Sequence, residues 1–125
     1  MNVRIATGED RQVVEDLHST FYGDEFPFPS TTKTIQAMVV EDNGQVQGFG
    51  VVKEISECIM VLDKSQGKLQ RARLVDTLLP HAFTVAQEAG HDGVHAFVQD
   101  EYFARFLKRK FGFGNAKGQV LVRGI

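Results

Sequence analysis

Apolar side chains recur along the chain at two spacings, which predict a succession of strands and helices. Val3 and Ile5 alternate with polar residues as in a short strand. Thr7 followed three residues later by Asp10 is typical of a helix start, and apolar residues then recur at every third or fourth position. We therefore expect a first strand followed by a helix over residues 8–21.

A β-hairpin is predicted next in the chain. Residues 37–41 and 45–54 are apolar or alternating runs, and Asp42, Asn43 and Gly44 separate them. An Asn-Gly pair provides the positive φ values that a type I′ turn requires. The two runs should therefore pair as antiparallel strands.

Residues 57–90 are the stretch around which the rest of the chain is organised. They predict a buried strand at residues 58–62, a polar loop at residues 63–68 and then a long helix, which Pro80 should kink or divide and Gly90 should end. A strand that enters a helix through a short loop directs backbone N–H groups and the positive helix end at one point. The loop is therefore a candidate phosphate site, although its single glycine also suits an ordinary strand-to-helix connection.

The last part of the chain predicts two further strands around a short helix. Residues 93–98 follow a helical crossover, so they should pair in parallel with residues 57–62. Asp100 can cap a short helix that Gly112 closes, and residues 119–123 have the pattern of a final strand. This order of elements predicts a mixed α/β sheet with helices on both faces.

Composition predicts one domain in a reducing compartment. The chain is 42% hydrophobic, which suffices for a single domain over residues 1–125 with a core of its own. Cys58 is the single cysteine, cannot form an intramolecular disulfide and is expected to pack as a small core residue. Residues 1–7 lack the apolar core of a signal peptide, and no later segment is long and apolar enough to span a membrane. We therefore expect a cytoplasmic protein without a membrane partner.

The formal net charge of −2 hides a difference between the two halves of the chain. Residues 1–63 carry four Lys and Arg against eleven Asp and Glu, a net charge of −7, whereas residues 64–125 carry ten against five, a net charge of +5. A basic surface suits a polyanion and an acidic one suits a cation, although the same balance also serves solubility. The basic run within residues 105–110 is typical of a solvated helix face, and the overall acidity argues against a dedicated nucleic-acid binder.

Several segments together resemble the GCN5-related N-acetyltransferases. The hairpin V-V-E-D-N-G-Q-V-Q-G-F at residues 39–49 is similar to a hairpin common in that family. The strand, loop and long helix lie where the family binds acetyl-coenzyme A, and Ala104 with the F-G-F of residues 111–113 resembles its last helix. The resemblance covers almost the whole chain and implies a mixed, mostly antiparallel sheet with a splayed pair of parallel strands. It also implies acyl transfer from acetyl-coenzyme A to an amine on a small molecule or a protein. The resemblance is compatible with a homodimer.

The same resemblance implies which residues bind the coenzyme. The family's loop has the pattern Q/R-x-x-G-x-G/A, and Gln66 fits its first position, but Leu69 and Arg71 occupy positions of small residues. Where amide contacts are lost, Lys68, Arg71 and Arg73 would supply charge instead. Alternatively, these side chains close the pocket. The residues expected to bind the coenzyme are Val61, Leu62, Gln66, Gly67, Lys68, Leu69, Arg71, Ala72 and Arg73.

Acyl transfer needs an amine that has lost its proton, so a base is expected. Glu57 is the first candidate because it begins the strand that would line the thioester, where several members of the family carry a catalytic glutamate. His95 is the second candidate and Glu101 the third. Lys108 stands where the family has the tyrosine that protonates the leaving thiolate, and its ammonium group can act as the donor instead. The structural alternatives are an exposed strand end for Glu57 and a core position for His95.

An aromatic and acidic loop after the first helix is the candidate binding site for the amine. Asp24, Glu25, Phe26 and Phe28 could gate a cationic substrate, and an exposed loop held by two phenylalanines is the alternative. The residues expected to bind the substrate are Tyr22, Asp24, Glu25 and Phe26. No histidine pair has metal-ligand spacing with a third ligand nearby, so no metal is expected.

The departures from the family's motifs also support a second interpretation. Leu69, Arg71 and Lys108 favour a catalytically silent protein that keeps the fold for a structural or interaction role. Such a protein would be similar to the acetyltransferase-like proteins that some tailed bacteriophages encode.

Overall fold

The first half of the chain forms a three-stranded antiparallel sheet, in a computed structural model that describes residues 1–116 and 118–125. Asn43 and Gly44 connect the second and third strands with φ values of 53° and 75°, both positive as a type I′ turn requires. The predicted hairpin is therefore confirmed. In the order in which they lie side by side, the strands are β1 (Asn2–Ile5), β2 (Thr34–Asp42) and β3 (Gln45–Lys53).

Helix α1 (Arg11–Phe21) follows β1 through a 3₁₀ turn (Gly8–Asp10), so the predicted first strand and first helix are confirmed. The helix lies against β3. Val14 on α1 and Val39 on β2 are both buried. Only part of the predicted apolar face lies toward the sheet, because Val13 and Phe21 are 44% and 66% exposed.

A charged network joins β1, the turn and β2. Both Nη atoms of Arg4 donate hydrogen bonds to the buried Asp10 carboxylate at 2.8 Å, and the Thr7 backbone N–H donates to it at 2.7 Å. Arg4 Nε donates to Glu41 at 2.8 Å. The hydrogen bonds from Arg4 and Thr7 hold the pKa of Asp10 well below its ordinary value.

Two helices and two extended segments, residues 57–62 and 93–98, form the second half of the chain. Helices α2 (Lys68–Glu88) and α3 (Glu101–Phe111) contribute Val75, Leu79 and Leu107 to a buried core. The partly buried side chains that the extended segments pack against this core are Cys58, Met60, Leu62, Ala96 and Val98.

Helix α2 continues through Pro80, so of the two expected outcomes, a kink or a division, the division is wrong. Proline removes one backbone hydrogen bond from a helix interior. The neighbouring Leu79 is only 1% exposed, and its burial in the core stabilises the helix against that loss. Pro80 itself lies on the exposed side of the helix.

Helix α3 begins and ends where its capping residues predicted. Asp100 Oδ1 accepts hydrogen bonds from the backbone N–H groups of Tyr102 at 2.8 Å and Phe103 at 3.4 Å. Gly112 follows the helix with a φ of 72°, the left-handed conformation that glycine adopts readily. The predicted short helix is confirmed.

The predicted fold class, an acetyltransferase-type mixed sheet with a splayed parallel strand pair and helices on both faces, is wrong. Within the described residues there are three α-helices and one antiparallel sheet of three strands, whereas that fold needs a larger sheet containing a parallel pair. Residues 57–62 and 93–98 meet only in one parallel bridge, between Glu57 and His95. Residues 119–123 do not form a strand among the described elements either.

Side-chain packing takes the place of backbone pairing in the first extended segment. Cys58, Met60 and Leu62 alternate inward onto the helical core. Ile59 and Val61 point the other way and are 75% and 92% exposed. The run at residues 58–62 is apolar at every position, so the sequence alone predicted burial of the whole segment. The predicted buried strand is therefore wrong, because the two helices cover only one face of the segment.

Candidate anion-binding groove

A groove of about 550 Å³ opens between the first turns of α2, the beginning of α3 and the extended segment that precedes α2. A volume of this size is typical of small-molecule sites, which combine apolar walls with a few polar groups. The groove has both kinds of lining.

The apolar wall of the groove belongs to the core of the second half. Val75, Phe103 and Phe106 line the groove and also pack in the core. The rings of Phe103 and Phe106 are stacked, with centroids 6.3 Å apart and planes inclined by 17°. Met60 and Leu62 complete the wall from the extended segment. Because close-packed residues form this wall, its shape is fixed by the core.

Three cationic side chains, Lys64, Lys68 and Arg71, line the polar part of the groove. Lys68 and Arg71 are three residues apart on α2 and share a helix face. The first backbone N–H groups of this helix add partial positive charge at the same end. The ion pairs between described residues involve none of the three side chains. Their charge is therefore available to an anion.

The loop before α2 is held together by one of its own acids. Asp63 accepts hydrogen bonds from the Ser65 hydroxyl at 2.6 Å, the Ser65 backbone N–H at 2.9 Å and Gln66 Nε2 at 3.4 Å. These bonds lower the pKa of Asp63. The Gln66 backbone N–H is also used, because it donates to the Asp63 carbonyl at 3.4 Å. An anion would therefore meet the start of α2 more readily than the loop amides.

The structure brings part of the predicted coenzyme site to the groove. The residues in its lining are Leu62, Lys68, Arg71 and Ala72. The others lie outside the lining, and Val61 and Leu69 are 92% and 68% exposed. Those outside are Val61, Gln66, Gly67, Leu69 and Arg73.

Sequence reasoning missed every groove residue that the start of α3 contributes. The signal for Phe103 and Phe106 is their spacing of three residues on one helix face, which is equally typical of core packing. Asp100 was recognised only as a helix cap. The groove residues that were not predicted as site residues are Met60, Lys64, Val75, Asp100, Tyr102, Phe103 and Phe106.

Glu57 and His95, the first two candidate bases, are brought together outside the groove. They are partners in the parallel bridge, which is closed by hydrogen bonds from Cys58 N–H to the His95 carbonyl at 2.9 Å and from His95 N–H to the Ser56 carbonyl at 2.8 Å. Both side chains are exposed, and neither lines the groove. Because Cys58 packs inward, its neighbour Glu57 lies on the outer face of the segment.

The remaining catalytic candidates also lie outside the lining. Glu101 is exposed and forms an ion pair with Arg105 at 3.8 Å, one turn along α3. Lys108 is exposed near the end of the same helix. Neither residue borders the groove.

The predicted substrate gate lies in the first half of the chain, immediately after α1. His18 Nε2 is 2.7 Å from the Phe26 carbonyl oxygen, and the two rings meet edge to face with centroids 5.2 Å apart. The four residues expected to bind the substrate are exposed, Phe28 of the predicted gate is half-buried, and none of the five lines the groove. The structure places Tyr22, Asp24, Glu25 and Phe26 together in this loop.

Comparisons of the chain with protein-family models, curated proteins and solved structures find no match. In the part of the chain that the structure describes, no group of three His, Cys, Asp or Glu side chains could hold a metal ion. No helix among those residues has the length and apolar character needed to cross a bilayer.

Proposed function

We propose that this protein binds acetyl-coenzyme A in the groove and transfers the acyl group to an amine, carried by a small molecule or a protein, in the cytoplasm. The observation that supports this proposal is the presence of three cations and an apolar wall in one cavity of about 550 Å³. Coenzyme A joins several phosphate groups to a long uncharged arm, so a site for it needs both features.

The groove residues fit the two parts of the coenzyme. Lys64, Lys68 and Arg71 are the side chains that would hold phosphate, because charge-assisted hydrogen bonds to phosphate are short and strong. The free backbone N–H groups at the start of α2 also favour a negatively charged ligand. Met60 and Leu62 provide apolar contacts for the uncharged arm.

Bound acetyl-coenzyme A supplies an activated acyl group: the amine nitrogen forms a bond to the acyl carbon, the carbon–sulfur bond breaks, and the proton that nitrogen loses ends on sulfur. An alkylamine with a pKa of ~10.4 is protonated at neutral pH, so it first releases one proton to solvent water, and the proton lost after the new bond forms is the one that ends on sulfur. The contribution of the groove is to bind both reactants and to exclude water from the apolar wall.

A second candidate function is binding without catalysis, in a structural or interaction role. The specific observation that favours it is the exposure of Glu57, His95 and Lys108 outside the groove lining. None of these three is placed to contact a ligand held by the groove cations.

Calorimetric titration with acetyl-coenzyme A tests the proposal. Wild-type protein should show saturable binding, and replacing both Lys68 and Arg71 by Gln should weaken it by about tenfold or more. Arg109→Gln removes a cation from the exposed end of α3 and should change the affinity by less than about twofold.

Thiol release, measured with a panel of amines, separates the two candidates. Release that depends on the amine supports acyl transfer, whereas saturable binding without release supports the silent role. A folded wild-type protein that does not bind the coenzyme contradicts the proposed function.

A further inference from the structure

We propose that Asp100 forms the amine-binding end of the groove and selects acceptors that carry a positive charge beside an apolar body. The inference rests on the function proposed above and names the acceptor class for the same site. Side chains of both charges line the groove. Among the described residues that line the groove, Asp100 is the only carboxylate, and it shares the cavity with Lys64, Lys68 and Arg71.

One oxygen of Asp100 is occupied and the other is available. Oδ1 accepts hydrogen bonds from the backbone N–H groups of Tyr102 and Phe103. No hydrogen bond or ion pair between described residues uses Oδ2. An ionised carboxylate has about four acceptor positions. The cap therefore fixes the side chain to α3 and leaves acceptor capacity for a ligand.

No ion pair between described residues joins Asp100 to Lys68 or Arg71, although all three line the same groove. A ligand in the groove therefore meets cationic side chains on α2 and the Asp100 carboxylate before α3. Phosphates suit the first, and a protonated amine suits the second. Repulsion from the cations also keeps the amine away from the phosphate end.

The wall beside Asp100 limits the rest of the acceptor. Phe103 and Phe106 follow it on α3 and present stacked rings to the groove. An amine with an aromatic or aliphatic body gains apolar contacts there. A polyamine would place additional positive charges toward Lys68 and Arg71, which disfavours it. The arrangement therefore selects monoamines with an apolar body.

Asp100→Asn is the variant that tests this assignment. Asn caps helices about as well as Asp, so the substitution removes the charge and keeps the cap. Suitable probes are 2-phenylethylamine and 2-phenylethanol, which have nearly the same shape and differ in charge. In calorimetric titrations the wild type should bind the amine about fivefold more tightly than the alcohol, and Asp100→Asn should abolish this preference. Asp92→Asn removes an equal charge from an exposed turn and should retain the preference.

The outcomes separate the two proposals. The assignment is overturned if the wild type shows no preference, if the preference survives in Asp100→Asn, or if Asp92→Asn also loses it. Should thermal unfolding show that Asp100→Asn has lost its fold, Asp100→Ser provides a second uncharged cap. Acetyl-coenzyme A is titrated into the same samples, and Asp100→Asn should bind it at least as tightly as the wild type. A wild type that does not bind the coenzyme contradicts the proposed function, and a preference for the amine that is lost in Asp100→Asn but kept in Asp92→Asn still upholds Asp100 as the residue that binds the amine.

Discussion

Lys110 Nζ lies 2.6 Å from Asp76 Oδ2, and this ion pair joins α3 to α2. The same ammonium group is 5.7 Å from the centre of the Phe106 ring, which lines the groove. The second oxygen of Asp76, Oδ1, is buried without a hydrogen-bond partner among the described residues. The pair therefore helps to set the position of one groove wall against the other.

Lys110→Met should lower the free energy of unfolding by about 1 kcal/mol, because it leaves the partly buried Asp76 carboxylate without its counter-charge. The two side chains are 48% and 35% exposed, which keeps the effect below that of a fully buried pair. Urea unfolding measures the change. Lys108→Met is the matched control, since Lys108 is exposed and none of the ion pairs between described residues includes it. Equal losses in the two variants would show that the ion pair contributes nothing specific.

Leu79→Ala should destabilise the protein by about 2–5 kcal/mol, because it removes a side chain that is 1% exposed and leaves a cavity in the core. The neighbouring Leu78 is 46% exposed, so Leu78→Ala should cost much less. Thermal or urea unfolding of the two variants compares the loss of stability at a buried and an exposed position of one helix. Similar losses at both positions would contradict the core assignment.

Acid should destabilise the protein partly through Asp10. Arg4 and Thr7 lower the folded-state pKa of this carboxylate, so the unfolded chain binds more protons at acid pH. The stabilisation is fully present above the unfolded value of about 3.9 and is lost as the pH falls toward the folded value. Urea unfolding from about pH 5 to about pH 2 should show a steeper decline for the wild type than for Asp10→Asn. Asp16→Asn, on the exposed side of α1, should keep the wild-type slope.

Local signals predicted the parts of the fold that local interactions determine. The Asn43-Gly44 turn, the Asp100 cap and the Gly112 end each depend on a few neighbouring residues, and all three occur where expected. The pairing of residues 57–62 with residues 93–98 depends on distant parts of the chain. Their apolar residues predicted burial, but they could not distinguish packing on helices from pairing in a sheet.

The candidate site shows the same difference between features set by neighbouring residues and features set by distant parts of the chain. Lys68 and Arg71 were predicted because the loop-to-helix pattern is contiguous in sequence, and both line the groove. Asp100 and Phe106 were missed because only the packing of α3 against α2 brings them there. The exposure of Glu57 agrees with the structural alternative given for it, an exposed end of the segment, and not with its candidate role as a base.

Arg71 and Arg73 allow the electrostatic part of the groove to be tested within one helix. Two residues apart, they point about 200° apart around the helix axis. Arg71 lines the groove and is half-buried, whereas Arg73 is exposed and outside the lining. Arg71→Gln should weaken acetyl-coenzyme A binding by about three- to tenfold, and Arg73→Gln should change it by less than about twofold.

The salt dependence of acetyl-coenzyme A affinity tests the same contact independently. Wild-type affinity should fall as salt is added, and Arg71→Gln should show a smaller fall because one charge contact is already lost. Arg73→Gln should retain the wild-type salt dependence. Arg71→Gly distinguishes the remaining alternative, in which the side chain blocks the groove. Because glycine removes both the charge and the bulk, weaker binding supports a charge contact, whereas tighter binding would show that Arg71 obstructs the coenzyme.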